Sequence, residues 1–295
     1  MRQDEFISEP NAGLPIKHDE RWMGVILVKA GRLTPDSVDR ILRLQRETGL
    51  PFGEVAMQLG LIAQSDIQFA LSRQFVYPFL QTGQSKVSED LIAAYEPFSP
   101  QVESLRALRS QLMLRWFDSD PTHKALAIIG AARHEGRSYI AANLAVVFSQ
   151  LGARTLLIDA NMRNPCQHRL FGLTNHLGLS AILSGRAGAE AIQRIPALLD
   201  LSVLPVGAVP PNPLELLSRP MFGRLLDDLA RNFDVMLLDS PAANDYADAQ
   251  IIAVRAGAAI IVVRKDAVRT WKLRGVSENV AQASASVIGV VYNDA

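Results

Sequence analysis

Six short apolar runs mark the later part of the chain, at residues 126–129, 155–158, 201–206, 235–238, 258–263 and 287–292. Runs that are apolar at successive positions predict strands buried on both faces. Helical patterns separate most of them, at about 139–150, 213–232, 248–256 and 270–283. Strands alternating with helices predict an α/β fold, a mostly parallel sheet covered by helices. Right-handed crossovers bring the C-terminal ends of the strands to one edge, where open α/β sheets bind their ligands.

The earlier part is patterned differently. Residues 1–20 have little apolar content and include Pro10, Gly13 and Pro15, which predicts a mobile tail. Residues 21–80 carry an internal repeat with a period of 29 residues. Gly24 matches Gly53, Gly31 matches Gly60, Leu42 matches Leu71 and Gln45 matches Gln74, with Leu33/Ile62 and Val38/Ile67 alike in kind. Thr34-Pro35-Asp36 is a helix start. Val38, Ile41, Leu42 and Gln45 then share one helical face, so each copy is expected to be a helix–turn–helix. Residues 81–101 are expected to be a linker, polar at first and closed by Pro97 and Pro100. A helix over 102–117 follows, with Leu105, Leu108 and Leu112 as its buried stripe, and residues 102–295 form the second domain.

Composition narrows the function classes. Lysine plus arginine, 30, equals aspartate plus glutamate, so no basic excess points to nucleic acid. The single Cys166 excludes a disulfide framework and suits a reducing compartment. The histidines form no zinc-like spacing. The polar N-terminus is not a signal peptide, and no apolar stretch is long enough to span a bilayer, so a membrane connection would need a partner.

The candidate chemistry lies in the loop 131–138 after the first apolar run, which fits [AG]xxxxG-[basic]-[ST] with Ala131, Gly136, Arg137 and Ser138. Such a loop aims backbone N–H groups and a helix dipole at phosphate, and its hydroxyl completes a Mg²⁺ shell. Arg137 stands where lysine is usual. Asp159 and Asn161 follow the second run, and Asp239 ends the run VMLLD. A loop and acids behind neighbouring strands predict a P-loop nucleotide site.

These motifs resemble those of the bacterial tyrosine kinases, which share a broader group with the partition ATPases. TLLIDANMRNP is similar to the family's LLIDADLRxP, and FDVMLLDSPAANDYADAQIIA to its FDxVIIDTPP followed by Asp-Ala. VESLRALRSQL is similar to the helix through which those kinases form rings. The nearest resemblance is to the EpsG-type subfamily, cytoplasmic kinases that partner a membrane-embedded exopolysaccharide chain-length determinant. The repeat at 21–80 resembles the N-terminal domain of type II secretion and pilus ATPases, some of which bind cyclic di-GMP through Arg-Leu-Gly triplets. The aligned triplets here are Trp22-Met23-Gly24 and Pro51-Phe52-Gly53, so a helical docking module is expected instead.

The resemblance implies an ATP- and Mg²⁺-dependent protein tyrosine kinase, peripheral to the inner membrane through its partner, that regulates exopolysaccharide chain length and export. It implies nucleotide contacts from Ala131, Arg133, His134, Glu135, Gly136, Arg137, Ser138 and Asn293, with Asn293 at the adenine. Ser138, Asp159 and Asp239 would hold the metal. Asp159, Arg137 and Asp239 would be catalytic, and Glu103, Arg106 and Arg109 would contact the next copy in a homo-oligomeric ring.

Departures from the family pattern give a second expectation, a catalytically weakened nucleotide-binding scaffold. His134 replaces a loop glycine, though histidine tolerates positive φ. Asn161 replaces a carboxylate, and an amide can neither carry charge to a metal nor act as a base. Pro241-Ala242 replaces Pro-Pro, and the end of the chain, VVYNDA, holds Tyr292 without a tyrosine cluster. A positioning ATPase of the septum or plasmid-partition type is a third reading, but its signature lysine is Ala132 here.

Overall fold

The computed structural model describes residues 22–74, 78–265 and 270–294. The tail expected at 1–20 lies outside the described residues. The chain divides into two compact units, Met1–Tyr77 and Pro78–Ala295.

The first unit holds α1 (Met23–Lys29), α2 (Pro35–Thr48), α3 (Phe52–Gln58) and α4 (Gln64–Gln74). Each copy of the repeat is one short and one long helix. Thr34 caps α2, its hydroxyl oxygen accepting from the Ser37 N–H at 3.3 Å. Of the repeated glycines, Gly24 and Gly53 are packing positions, while Gly31 and Gly60 take positive φ in the turns. A Cβ on Gly24 would lie 3.2 Å from Val38, and one on Gly53 would lie 2.9 Å from Ile67. The short helix of each copy therefore touches the long helix of the same copy at the matched pair of residues. Leu27, Leu33, Ile41, Val55, Ala56, Ile62 and Ala70 form the core.

The second unit is a three-layer α/β/α sandwich. Its elements are α5 (Ile92–Tyr95), α6 (Pro100–Leu112), a π-helical turn (Met113–Phe117), β1 (Ala125–Ile129), α7 (Arg137–Ser149), β2 (Thr155–Asp159), α8 (Gln167–Leu170) and α9 (Leu179–Leu183). There follow β3 (Gln193–Arg194), β4 (Leu201–Leu204), α10 (Pro213–Ser218), α11 (Pro220–Leu229), β5 (Val235–Asp239), α12 (Asp248–Ala256), β6 (Ala258–Arg264), α13 (Thr270–Gln282) and β7 (Ser286–Asn293). The sheet order is β3-β4-β2-β5-β1-β6-β7. Every pairing is parallel except that of β3 with β4. The strands β1, β2 and β5 are buried throughout because helices cover both faces. α7 lies on one face and is apolar nearly all round, since the sheet takes one side of it and residues 80–117 take the other. α9 to α12 cover the opposite face.

Several expectations are corrected. Residues 81–101 are not a linker: Leu80, Val87, Leu91, Ala93, Ala94 and Tyr95 are buried in the same core as α7. Backbone bonds tie the segment down, with Ala93 N–H donating to Asn143 Oδ1 at 2.9 Å and Ser88 N–H to Leu170 O at 2.7 Å. The helix expected over 102–117 begins at Pro100, capped by Ser99, and widens into the π-helical turn after Leu112. The helix expected over 213–232 breaks at Arg219, which is extended because Pro220 follows it. The strand expected at 201–206 ends before Pro205. β3, a two-residue edge strand, had no pattern to announce it. No helix among the described residues is long and apolar enough to cross a membrane.

Candidate functional site

The C-terminal edge of β1, β2 and β5 frames a cavity of about 570 Å³, whose lining includes residues 133–139, Asn161, Arg163, Cys166 and Tyr246. The loop between β1 and α7 turns on two positive φ angles, +60° at His134 and +88° at Gly136. The glycine there has a steric reason as well, since a Cβ on Gly136 would strike the side chain of Asn293. Histidine thus takes a left-handed conformation, which it tolerates better than most residues. The turn delivers Gly136 to the N-terminus of α7, a helix of 13 residues, whose unpaired N–H groups and dipole favour an anion.

Arg137 is buried, and its bonds go to the loop and to the residue after β5. Its Nη1 donates to Ala132 O and to Glu135 Oε2, the latter at 3.2 Å, and its Nε donates to Ser240 O at 3.3 Å. Glu135 is also buried; its Oε2 accepts from Ala132 N–H at 2.9 Å, while burial raises its carboxyl above the usual range. Arg137 lines the cavity, and here its guanidinium braces the loop against the end of β5. Ala131 is buried outside the cavity lining, and its carbonyl accepts from Asn244 N–H at 3.1 Å. Arg133 is exposed and pairs with Asp245 at 2.7 Å.

β2 and β5 pair in register, so their last residues, Asp159 and Asp239, stand side by side. Both are fully buried beneath the cavity. Asp159 accepts three backbone N–H groups, from Asn161 at 3.2 Å and from Cys166 and Gln167 at 3.0 Å each. Burial and the Asp239 charge nonetheless push Asp159 up to about 8. Burial raises Asp239 as well, against the pull of Ser138, Gln167 and Arg137. The thiol of Cys166 is pushed up to about 12 by burial and the two acids. Asn161 is spent on structure: its Oδ1 accepts from Asn164 N–H at 3.2 Å.

Sequence reasoning passed over Gln167. Its Nε2 donates to Asp239 Oδ2 at 2.8 Å and to Ser138 O at 3.1 Å, linking the second acid to the phosphate loop. Gln167 Oε1 and Asp239 Oδ1 are buried and have no hydrogen-bond partner among the described residues. Two orphaned acceptors beside the Ser138 hydroxyl and two carboxylates make a set of hard oxygen donors, which fits Mg²⁺. No group of three or more His, Cys, Asp or Glu forms a metal site of its own among the described residues. A bound metal would therefore draw on Ser138 and on the ligand's phosphates. Arg163 and Asp248 were also passed over as site residues, although both lie within the quoted motifs; they form a bidentate pair at 2.8 and 3.0 Å.

The remaining predicted residues lie off the cavity lining. Asn293 ends β7, and its Nδ2 donates to Glu135 O at 3.1 Å. Glu103, Arg106 and Arg109 lie on α6 and have partners within the chain. Arg106 pairs with Glu103 at 3.0 Å and donates to Pro97 O, and Arg109 donates to Val147 O at 3.0 Å.

Comparison with known proteins adds three findings. The tyrosine-protein kinase YwqD of Bacillus subtilis is 32% identical over 209 residues, which are 71% of this chain and 87% of that one. EpsB of Ralstonia solanacearum is 32% identical over 229 residues, 78% of this chain but only 29% of EpsB. The solved kinase domain of the Escherichia coli tyrosine kinase ETK superposes with a TM-score of 0.67 at 30% identity, covering 72% of this chain and 83% of that domain. The chain thus spans less than a third of the length of the EpsB relatives it matches. No family model matches the sequence.

Proposed function

Because the chain belongs to the bacterial tyrosine-protein kinases, we propose that it transfers the γ-phosphoryl group of ATP to tyrosine and regulates exopolysaccharide chain length and export as an EpsG-type partner of a membrane protein. The observation that carries the reading is the phosphate loop at the head of α7 beside the in-register pair Asp159–Asp239. Gly136 and Ser138 receive the phosphates on backbone N–H groups. Ser138, Asp239 and Asp159 would hold Mg²⁺, which would supply neutralisation of the phosphate charge. Arg137 keeps the loop in shape and adds positive charge at its base. Asp159, at the end of β2, takes the proton of the incoming phenol in its ionised form. Asn293 borders the nucleoside. Glu103, Arg106 and Arg109 exchange their present partners for those of a neighbouring copy when a ring forms, and the repeat domain, resembling that of secretion ATPases, docks a partner.

Labelled ATP and Mg²⁺, supplied with the cytoplasmic part of the membrane partner, should place label on tyrosine. A second reading, the weakened scaffold, is favoured by Asn161, whose amide closes a turn. Nucleotide bound without transfer under every condition would select it. On the first reading Asn161→Asp changes the rate only modestly, because Asp159 already supplies the base. A large gain on Asn161→Asp would mean that the parent chain is the weakened form.

A further inference from the structure

The loop after β5 carries a tyrosine whose setting the phosphate machinery does not explain. Tyr246 lines the cavity. The Arg163 guanidinium lies over its ring, 3.8 Å from the centroid, and is locked there by its two bonds to the buried Asp248. Arg133 Nη2 donates to the phenolic oxygen at 3.2 Å, while its Nε is held by Asp245 at 2.7 Å. The Tyr246 N–H donates to Ala242 O at 3.2 Å. Face, hydroxyl and backbone are all fixed, so the ring has little rotamer freedom left to lose when something packs on it.

Position along the sheet edge decides what that would be. β2 and β5 are neighbours, and β7 lies at the far edge beyond β1 and β6. Asp159 and Asp239 end β2 and β5, and Arg163 and Tyr246 follow those same two strands. Asn293, where the nucleoside is placed, ends β7. Tyr246 therefore stands on the carboxylate side, where an acceptor hydroxyl must arrive to meet the terminal phosphate.

We propose that Tyr246, backed by Arg163, is a stacking platform for the aromatic ring of the acceptor tyrosine. The proposal rests on the kinase reading and adds its means of selection. Aromatic rings pair in offset or edge-to-face arrangements, and a planar cation behind the platform fixes its orientation. A serine or threonine acceptor offers no face to such a platform and would gain nothing from it.

The test uses the full chain loaded with ADP and Mg²⁺. Binding of a fluorescently labelled random copolymer of glutamate and tyrosine is followed by anisotropy, and ADP affinity is measured in parallel. Tyr246→Ala should weaken copolymer binding about three- to ten-fold, the range of one aromatic pair. Tyr246→Phe should stay within about two-fold of the parent, since it keeps the ring. ADP affinity should be equal in all three. Unchanged copolymer binding in Tyr246→Ala overturns the proposal. So does a loss of ADP affinity with copolymer binding intact, which would assign the ring to adenine. Label from ATP on Tyr246 itself also overturns it, because the residue would then be an acceptor. Tyr246-dependent copolymer binding without any transfer supports the platform and removes the kinase reading alone.

Discussion

At the residue scale the site is governed by charges held where water is scarce. Asp159 has an ordinary value of 3.8 and stands at about 8 in the folded chain. Between roughly pH 4 and pH 8 the folded, metal-free protein holds a proton that the unfolded chain has released. Stability from this group is therefore fully present at low pH and is lost as pH rises through about 8. Asp239→Asn removes the adjacent charge and keeps an acceptor for Gln167. Without metal, at about pH 8.5, it should be more stable than the parent by about 1–2 kcal/mol, with a flatter pH slope. Urea unfolding at two pH values measures this, and an unchanged slope would sink the account. The same variant should lose the Mg²⁺ dependence of nucleotide binding. Arg137 is the second case. Lysine carries its donors on one atom and cannot reach Ser240 on one side and Ala132 and Glu135 on the other, as Nε and Nη1 do, so Arg137→Lys should bind ATP–Mg²⁺ about ten-fold more weakly. Arg137→Ala also strands the buried Glu135 carboxylate, and should lose about 3 kcal/mol of stability besides. Parental stability in Arg137→Ala would show that the guanidinium is not a brace.

At the scale of elements, α7 is where phosphate loop, sheet and the preceding segment meet. Asn143 is fully buried in it and ties the preceding segment to the helix backbone. Its Oδ1 accepts from Ala93 N–H at 2.9 Å, and its Nδ2 donates to Tyr139 O at 3.1 Å. Asn143→Ala leaves a buried N–H unpaired and should cost about 1–3 kcal/mol. Hydrogen exchange should quicken first at residues 91–95, well before the sheet; uniform quickening would mean that the segment is not a separate element. This bond also marks the limit of what was legible in the sequence. The parallel strands were readable because burial on both faces leaves continuous apolar runs. The phosphate loop and both acids were readable because they follow such runs at fixed places. The segment 81–101 was not, because its one apolar run, residues 91–95, is short and sits between a polar stretch and two prolines, and its hold on α7 comes from long-range bonds that no local period records. Gln167 was hidden for a related reason, since only the fold brings its amide between β5 and the loop. Arg163 and Asp248 lay in the quoted motifs, but their pairing crosses 85 positions of sequence.

For the whole molecule the question is where the nucleotide-binding unit begins. The sequence pattern places its start at residue 102, and the contact pattern places it at Pro78. Leu80, Val87, Leu91 and Tyr95 are buried against the face of α7 that the sheet does not cover. Burying a side chain of this size contributes about 1.5–3 kcal/mol. Four of them together contribute roughly 6–12 kcal/mol, comparable with the entire stability of an ordinary domain, about 5–15 kcal/mol. Removing them also exposes the apolar surface of α7 beneath. A chain of residues 102–295 is therefore expected to be insoluble or to lack a cooperative thermal transition. A chain of residues 78–295 should melt cooperatively and bind ATP–Mg²⁺ within about two-fold of the full chain, since none of the residues of the cavity lies before it. Circular dichroism melting and nucleotide titration on the two truncations decide the matter. If the shorter chain folds and binds as well as the longer, residues 78–101 are a removable strap and not part of the core. If the longer chain loses nucleotide binding, the repeat domain supports the site in a way that the cavity's own residues do not reveal.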